Sequence, residues 1–158
     1  MSFASTVNGF SSRNWSLDPN NTIERQFAEA LSRMDGKDFF SYLIWRLPQG
    51  KHLESVIRKV AAGKEPSNYI QTAGRASALT IEIRKVDESG EVHHWTIGRR
   101  GSTETADDTI EIHWDSFSTT VSRNEVFHAA AAAKVFSEYI GTGDVADVNY
   151  TKRPTLLG

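Results

Sequence analysis

The chain has 158 residues, of which 39% are hydrophobic, 10% aromatic and 24% charged, with a formal net charge of −2. This composition fits one globular domain with a real core and excludes collagen-like, coiled-coil and wholly disordered chains. The longest apolar run, 39–47, is interrupted by Ser41 and Arg46 and falls far short of the ~20 residues that span a bilayer, while the lack of cysteine removes thiol nucleophiles, disulfides and zinc–thiolate sites.

Residues 1–20 are rich in Ser and Asn around Phe3, Phe10 and Trp15 and show neither helical nor strand periodicity before Asp18-Pro19. They read as a partly ordered N-terminal arm, with a single domain over 21–158. Ile23, Phe27, Ala30, Leu31 and Met34 then fall on one stripe of an amphipathic helix. Asn21, three residues before Glu24, fits a capping box, and Gly36 supplies a left-handed turn. Residues 39–47 are apolar on both alternations, as in a strand covered on both faces. After Pro48-Gln49-Gly50, the spacing of Leu53, Val56, Ile57 and Val60 predicts a second helix over 51–62.

Strand signals follow. Residues 69–72 are β-prone, and Leu79, Ile81 and Ile83 alternate with Thr80, Glu82 and Arg84. Asp87-Glu88-Ser89-Gly90 reads as a hairpin loop into a return strand with His94 on one face and His93 and Trp95 on the other. Beyond a polar loop over 99–108, Ile110, Ile112 and Trp114 alternate with Glu111, His113 and Asp115, and a turn leads to a strand over 117–121. The whole reads as an antiparallel meander. Ser122 stands three residues before Glu125, a second capping box, and Val126, Ala129, Ala133, Phe136 and Ile140 predict one helix from that box through Ile140. The expected architecture is α+β: an antiparallel sheet of about five or six strands with helices packed mainly on one face.

The net charge hides a gradient. Residues 1–85 carry 12 basic and 8 acidic side chains, 86–125 carry 3 and 9, and 126–158 carry 3 and 3. No clustered basic surface is expected, which argues against nucleic acid as a partner, whereas the acidic middle third suits a basic protein. Glu111, His113 and Asp115 share one strand face and have the chemistry for proton transfer or cation binding, but a polar strand face is foremost the way an antiparallel sheet meets water. His93 and His94 point to opposite faces and cannot chelate one ion together. His128 has no second ligand at i+3 or i+4, Gly141-Thr142-Gly143 follows a helix rather than a strand, and no nucleophile elbow or phosphate loop is present. No metal, cofactor or catalytic residue is expected.

Three stretches carry a resemblance: TIERQFAEALSRMDGK, YIQTAGRASALTIEIRK and EVFHAAAAAKVFSEYIGTGDV. Together they resemble the small α+β immunity proteins of bacterial polymorphic-toxin systems, of the type common in actinobacteria. The resemblance covers most of 22–150; it departs at Ala146, where such proteins often have proline, and does not extend over 51–66. It implies a cytoplasmic, non-enzymatic antitoxin that neutralises a cognate secreted toxin by tight stoichiometric association, and it brings no catalytic residues. The expected partner-binding residues are Asp107, Asp108, Glu111, His113 and Asp115, with Trp15 a further candidate anchor. The cytoplasmic expectation agrees with the lack of a basic–apolar leader pattern in the first thirty residues. The competing expectation is a small-molecule-binding or metal-dependent enzyme whose site, lined by His94, Trp95 or His113, lies between the sheet and the C-terminal helix.

Overall fold

A computed structural model describes residues 3–8, 18, 20–47, 66–101 and 107–155. The helix expected over 51–62, the turn before it and Trp15 lie outside the described residues. In chain order the elements are β1 (Phe3–Val7), α1 (Ile23–Leu31), β2 (Ser41–Arg46), β3 (Tyr69–Arg75), β4 (Ala78–Val86), β5 (Val92–Arg99), β6 (Thr109–Trp114), β7 (Phe117–Ser122), a 3-10 turn (Arg123–Glu125), α2 (Ala129–Thr142) and β8 (Tyr150–Pro154). Six strands form one antiparallel sheet in the order β1-β2-β3-β4-β5-β8, and β6-β7 make a separate two-stranded ribbon.

The fold is α+β, as expected, with the two helices among the described residues on the same side of the sheet. Alternation along the paired strands puts Phe3, Tyr42, Ile44, Ile70, Ile81, Ile83 and Ile97 on one face, where they share a core with Phe27 and Leu31 of α1 and Val135, Phe136 and Ile140 of α2. Each such side chain, fully buried, contributes about 1.5–3 kcal/mol, so this shared face holds the two layers together. Phe136 joins them, lying 5.7 Å from the Phe27 ring and stacked at 6.0 Å on Tyr42. The opposite face carries a smaller cluster of Ala4, Trp45 and Tyr69. This explains why 39–47 is apolar on both alternations.

Four sequence expectations are refined or corrected. Part of the N-terminal arm is strand: Phe3–Val7 pair with β2, and Asn8, at φ 53°, ends the strand by accepting from the Phe40 and Ser41 N–H groups through its Oδ1. The cap of α1 is Thr22 rather than Asn21, its hydroxyl accepting from Arg25 N–H at 3.2 Å. The long helix does not begin after Ser122. Phe127 exchanges two backbone hydrogen bonds with Leu79 (2.7 and 2.8 Å), which holds Val126 and Phe127 extended, so α2 starts at Ala129 behind His128. Pairing to another strand wins over local helix propensity here.

The meander, finally, is broken. The edge of β5 that β6 would extend is taken by β8, from Trp95↔Pro154 to Arg99↔Tyr150, a strand for which Tyr-Thr-Lys-Arg-Pro gave no sequence signal. The displaced ribbon packs β6, with its buried Ile112, against β3 and β4 beside Gly74, and Val121 is buried opposite Ile110. Gly74 (φ +120°) permits this, because a Cβ there would strike the Ala78 carbonyl and press on Ile112. No helix among the described residues is long and apolar enough to cross a membrane.

Candidate protein-docking surface

The β6–β7 ribbon owes its shape to a two-residue loop. Asp115, at φ 48°, and Ser116 connect Trp114 to Phe117, and Asp115 N–H donates to the Gly36 carbonyl at 2.7 Å, tying the tip to the loop after α1. Alternation then separates two faces. Ile112 and Val121 point inward, whereas Glu111 and His113, opposite Thr120 and Ser118, point to solvent. The side chains of Glu111 and His113 are 54% and 69% exposed, and His113 Nε2 lies 3.6 Å from Glu111 Oε2. Asp107, Asp108 and Asp115 are also exposed, so all five residues expected to bind a partner lie on this one ribbon and its approach. Asp108 is the one with a firm partner, Arg123 Nε at 2.8 Å; both side chains are about half exposed, which makes the bridge worth little on its own.

Sequence reasoning missed the apolar part of the same surface. Phe117 is 60% exposed and stacks on Trp114 with ring centroids 6.4 Å apart, because the inner face of the ribbon outreaches the body it packs on. Alternation places Phe117 on the apolar side; how far the body extends beneath it is not written in the local sequence. Beside the tip lies a cleft of about 260 Å³ between β6 and the loop after α1, with Asp35, Glu111 and Asp115 facing Lys37 and Arg75. The backbone N–H groups of Phe39, Lys37 and Asp38 all donate to Asp35 Oδ1 and hold that carboxyl below the usual carboxylate range.

Among the described residues, the group whose ligand atoms come within 4.8 Å of one another is Asp87, Glu91 and His93, in the β4–β5 loop. There Asp87 Oδ1 accepts from Ser89 N–H, Ser89 Oγ–H and Glu91 N–H, and Oδ2 lies 3.0 Å from His93 Nε2. These bonds drive the Asp87 pKa strongly down and explain the cluster as the lock of a tight hairpin. His93 stacks on Trp95 at 5.1 Å, and Lys152 Nζ sits 5.1 Å from the Trp95 ring centroid.

The residues expected to line an enzyme pocket do not converge. His94 lies on the helix-free face of the main sheet, 3.3 Å from Glu82, Trp95 on the helix-bearing face, and His113 on the ribbon. The space between sheet and α2 is filled by Ile81, Ile83, Ile97, Phe127, Phe136 and Ile140, all buried. A second cleft of about 250 Å³ lies at the start of α2 between Arg99, Arg123 and His128, but Arg99 donates to the Arg123 carbonyl, Arg123 to Asp108, and His128 Nδ1 accepts from Ala131 N–H as the helix cap. Comparison of the chain with protein-family models, with curated proteins and with solved structures finds no match.

Proposed function

We propose that this protein is an immunity protein: a cytoplasmic antitoxin that holds a cognate secreted bacterial toxin in a tight stoichiometric complex and breaks no bond of its own. The observation that carries this reading is the β6–β7 ribbon, which presents Asp107, Asp108, Glu111 and Asp115 without a lysine or arginine among residues 107–122, and ends in the exposed Phe117 stacked on the half-buried Trp114. Acidic groups around a desolvatable aromatic anchor make the arrangement that captures a basic protein quickly and then retains it. The three sequence stretches that resemble immunity proteins support the same reading.

Inhibition on this reading is steric and electrostatic. To silence a lethal enzyme the complex needs nanomolar affinity or better, about −12 kcal/mol, which a standard interface of about 1,600 Å² supplies when a few anchors are well buried. The test is co-expression with the toxin-bearing reading frame adjoining the gene. Growth should be rescued and the two chains should co-purify in equal numbers. Persistent growth arrest with the antitoxin in excess, or turnover of a substrate by the purified chain that a single polar substitution abolishes without unfolding it, would overturn the proposal.

A further inference from the structure

The geometry points to strand addition: we infer that the outer edge of β7 takes an extended, basic strand of the protein partner. This deepens the antitoxin reading and rests on it for the identity of that partner. The Arg123 N–H donates to the Asp108 carbonyl at 2.8 Å, which in the observed register makes Asp108/Arg123, Ile110/Val121, Ile112/Thr119 and Trp114/Phe117 the mutually bonded pairs. The backbone N–H and C=O groups of Ser118 and Thr120 therefore point away from β6. The Ser122 N–H points the same way but is already taken by Glu125 Oε1 at 2.9 Å.

The other edges of the described sheets are closed to such pairing. β1 is buried from Phe3 to Thr6. β8 carries Lys152, Arg153 and Pro154, the usual guards of an edge, and β6 lies against the loop that holds Gly36, with the Asp115–Gly36 bond at its end. β7, Phe-Ser-Thr-Thr-Val-Ser, has no charge and no proline, and Ser118 and Thr120 are exposed. A β-prone edge that is unguarded among the described residues is a template for another strand.

Charge selects the occupant. Residues 107–122 hold four carboxylates and no lysine or arginine, so edge-to-edge pairing of two copies brings like charges together, whereas a basic strand is drawn in. Thr120 stands directly opposite Glu111. With strands about 4.8 Å apart, a lysine or arginine opposite Thr120 on the added strand passes over that short side chain to reach Glu111. On the other face the added strand's alternate side chains meet Phe117. The segment that fits is extended, with lysine or arginine alternating with apolar or β-branched residues.

The test needs no toxin, so its failure is distinct from failure of the antitoxin reading. An acetylated, amidated peptide alternating lysine with valine or threonine is titrated into the labelled protein, and amide hydrogen exchange is followed by NMR. Slowing of the Ser118 and Thr120 amides by tenfold or more, lost when glutamate replaces each lysine and when alternate peptide amides are N-methylated, is the expected result. Thr120→Pro, which removes an outward N–H, should abolish the effect; if that variant does not fold, Thr120→Lys should weaken it by placing like charge on the edge. No slowing at these amides, equal slowing by the acidic peptide, or a concentration-dependent dimer that protects them without peptide would each overturn the inference.

Discussion

Glu125 is the buried charge on which the helix-free face of the sheet depends. Its carboxylate is 3% exposed, accepts from the Ser122 N–H at 2.9 Å and binds the Arg153 guanidinium in a fork, at 2.8 Å to Nε and 3.0 Å to Nη2. That fork also raises the Arg153 pKa. Space for it comes from Gly98, where a Cβ would crowd Thr151, Asn124 and the Glu125 side chain itself. One residue thus ties the 3-10 turn to edge strand β8. Glu125→Ala leaves the Ser122 N–H and the Arg153 charge without their acceptor. Because the Arg153 side chain is about half exposed and regains water, the expected cost is about 2–3 kcal/mol rather than the larger penalty of a fully buried charge. Urea unfolding checks this, and a change within about 0.5 kcal/mol would mean that the fork is ornamental.

At the scale of elements, the end of α2 is stapled to the sheet by Asp144. The helix stops at Gly143, φ 81°, whose N–H donates back to the Tyr139 carbonyl, and the next residue reaches Lys85 of β4 at 2.9 Å and Lys152 of β8 at 3.0 Å. Partial burial pushes the Asp144 pKa up, but the two ammonium groups outweigh it and leave the carboxyl below its usual range. A carboxyl depressed in the folded state adds stability above the ordinary carboxylate pKa near 4 and loses it as pH falls through the depressed value. Asp144→Asn should therefore lower stability by about 1 kcal/mol at pH 7, with the gap to the parent closing as pH falls below the ordinary carboxylate range. Urea midpoints measured along that series decide it; a gap that persists at the acid end would assign the staple to packing instead of charge. The staple also explains why β8 is invisible in the sequence. Its Lys152 and Arg153 read as loop residues, yet Lys152 is neutralised by Asp144 and Asp147 a few residues before it and Arg153 by Glu125, 28 residues away. Elements whose burial pattern is local, α1 and β3 to β7, were legible from periodicity. The late start of α2, the insertion of β8 beside β5 and the detachment of the ribbon each follow from a long-range pairing that periodicity cannot carry.

For the molecule as a whole, the acidic third becomes a shape as well as a charge. The period of two in β6 was enough to predict that Glu111 and His113 face away from Ile110 and Ile112, whereas Asp115, expected on the same strand face, sits in the connecting loop at φ 48°. The Glu111 and His113 part of the candidate site was thus legible residue by residue. The openness of β7 and the exposed Phe117 were not, because both depend on where the main sheet ends. The fold gathers these features on a ribbon that stands apart from the six-stranded sheet, where its field reaches solvent over roughly a Debye length, about 8 Å at physiological salt. Residues 107–122, which hold the ribbon, carry four carboxylates and no lysine or arginine, so an approaching basic protein is attracted to it. Replacing Glu111 and Asp115 together by lysine changes the local charge by four without touching the core, since both side chains are exposed. The association rate constant with a basic toxin should then fall by about tenfold or more at low salt, its dependence on ionic strength should flatten, and dissociation should change less, because rim charges act mainly on encounter. Stopped-flow association across a salt series measures all three. Unchanged association with a parent-like salt slope would place the docking face elsewhere on the molecule, even if the complex itself forms.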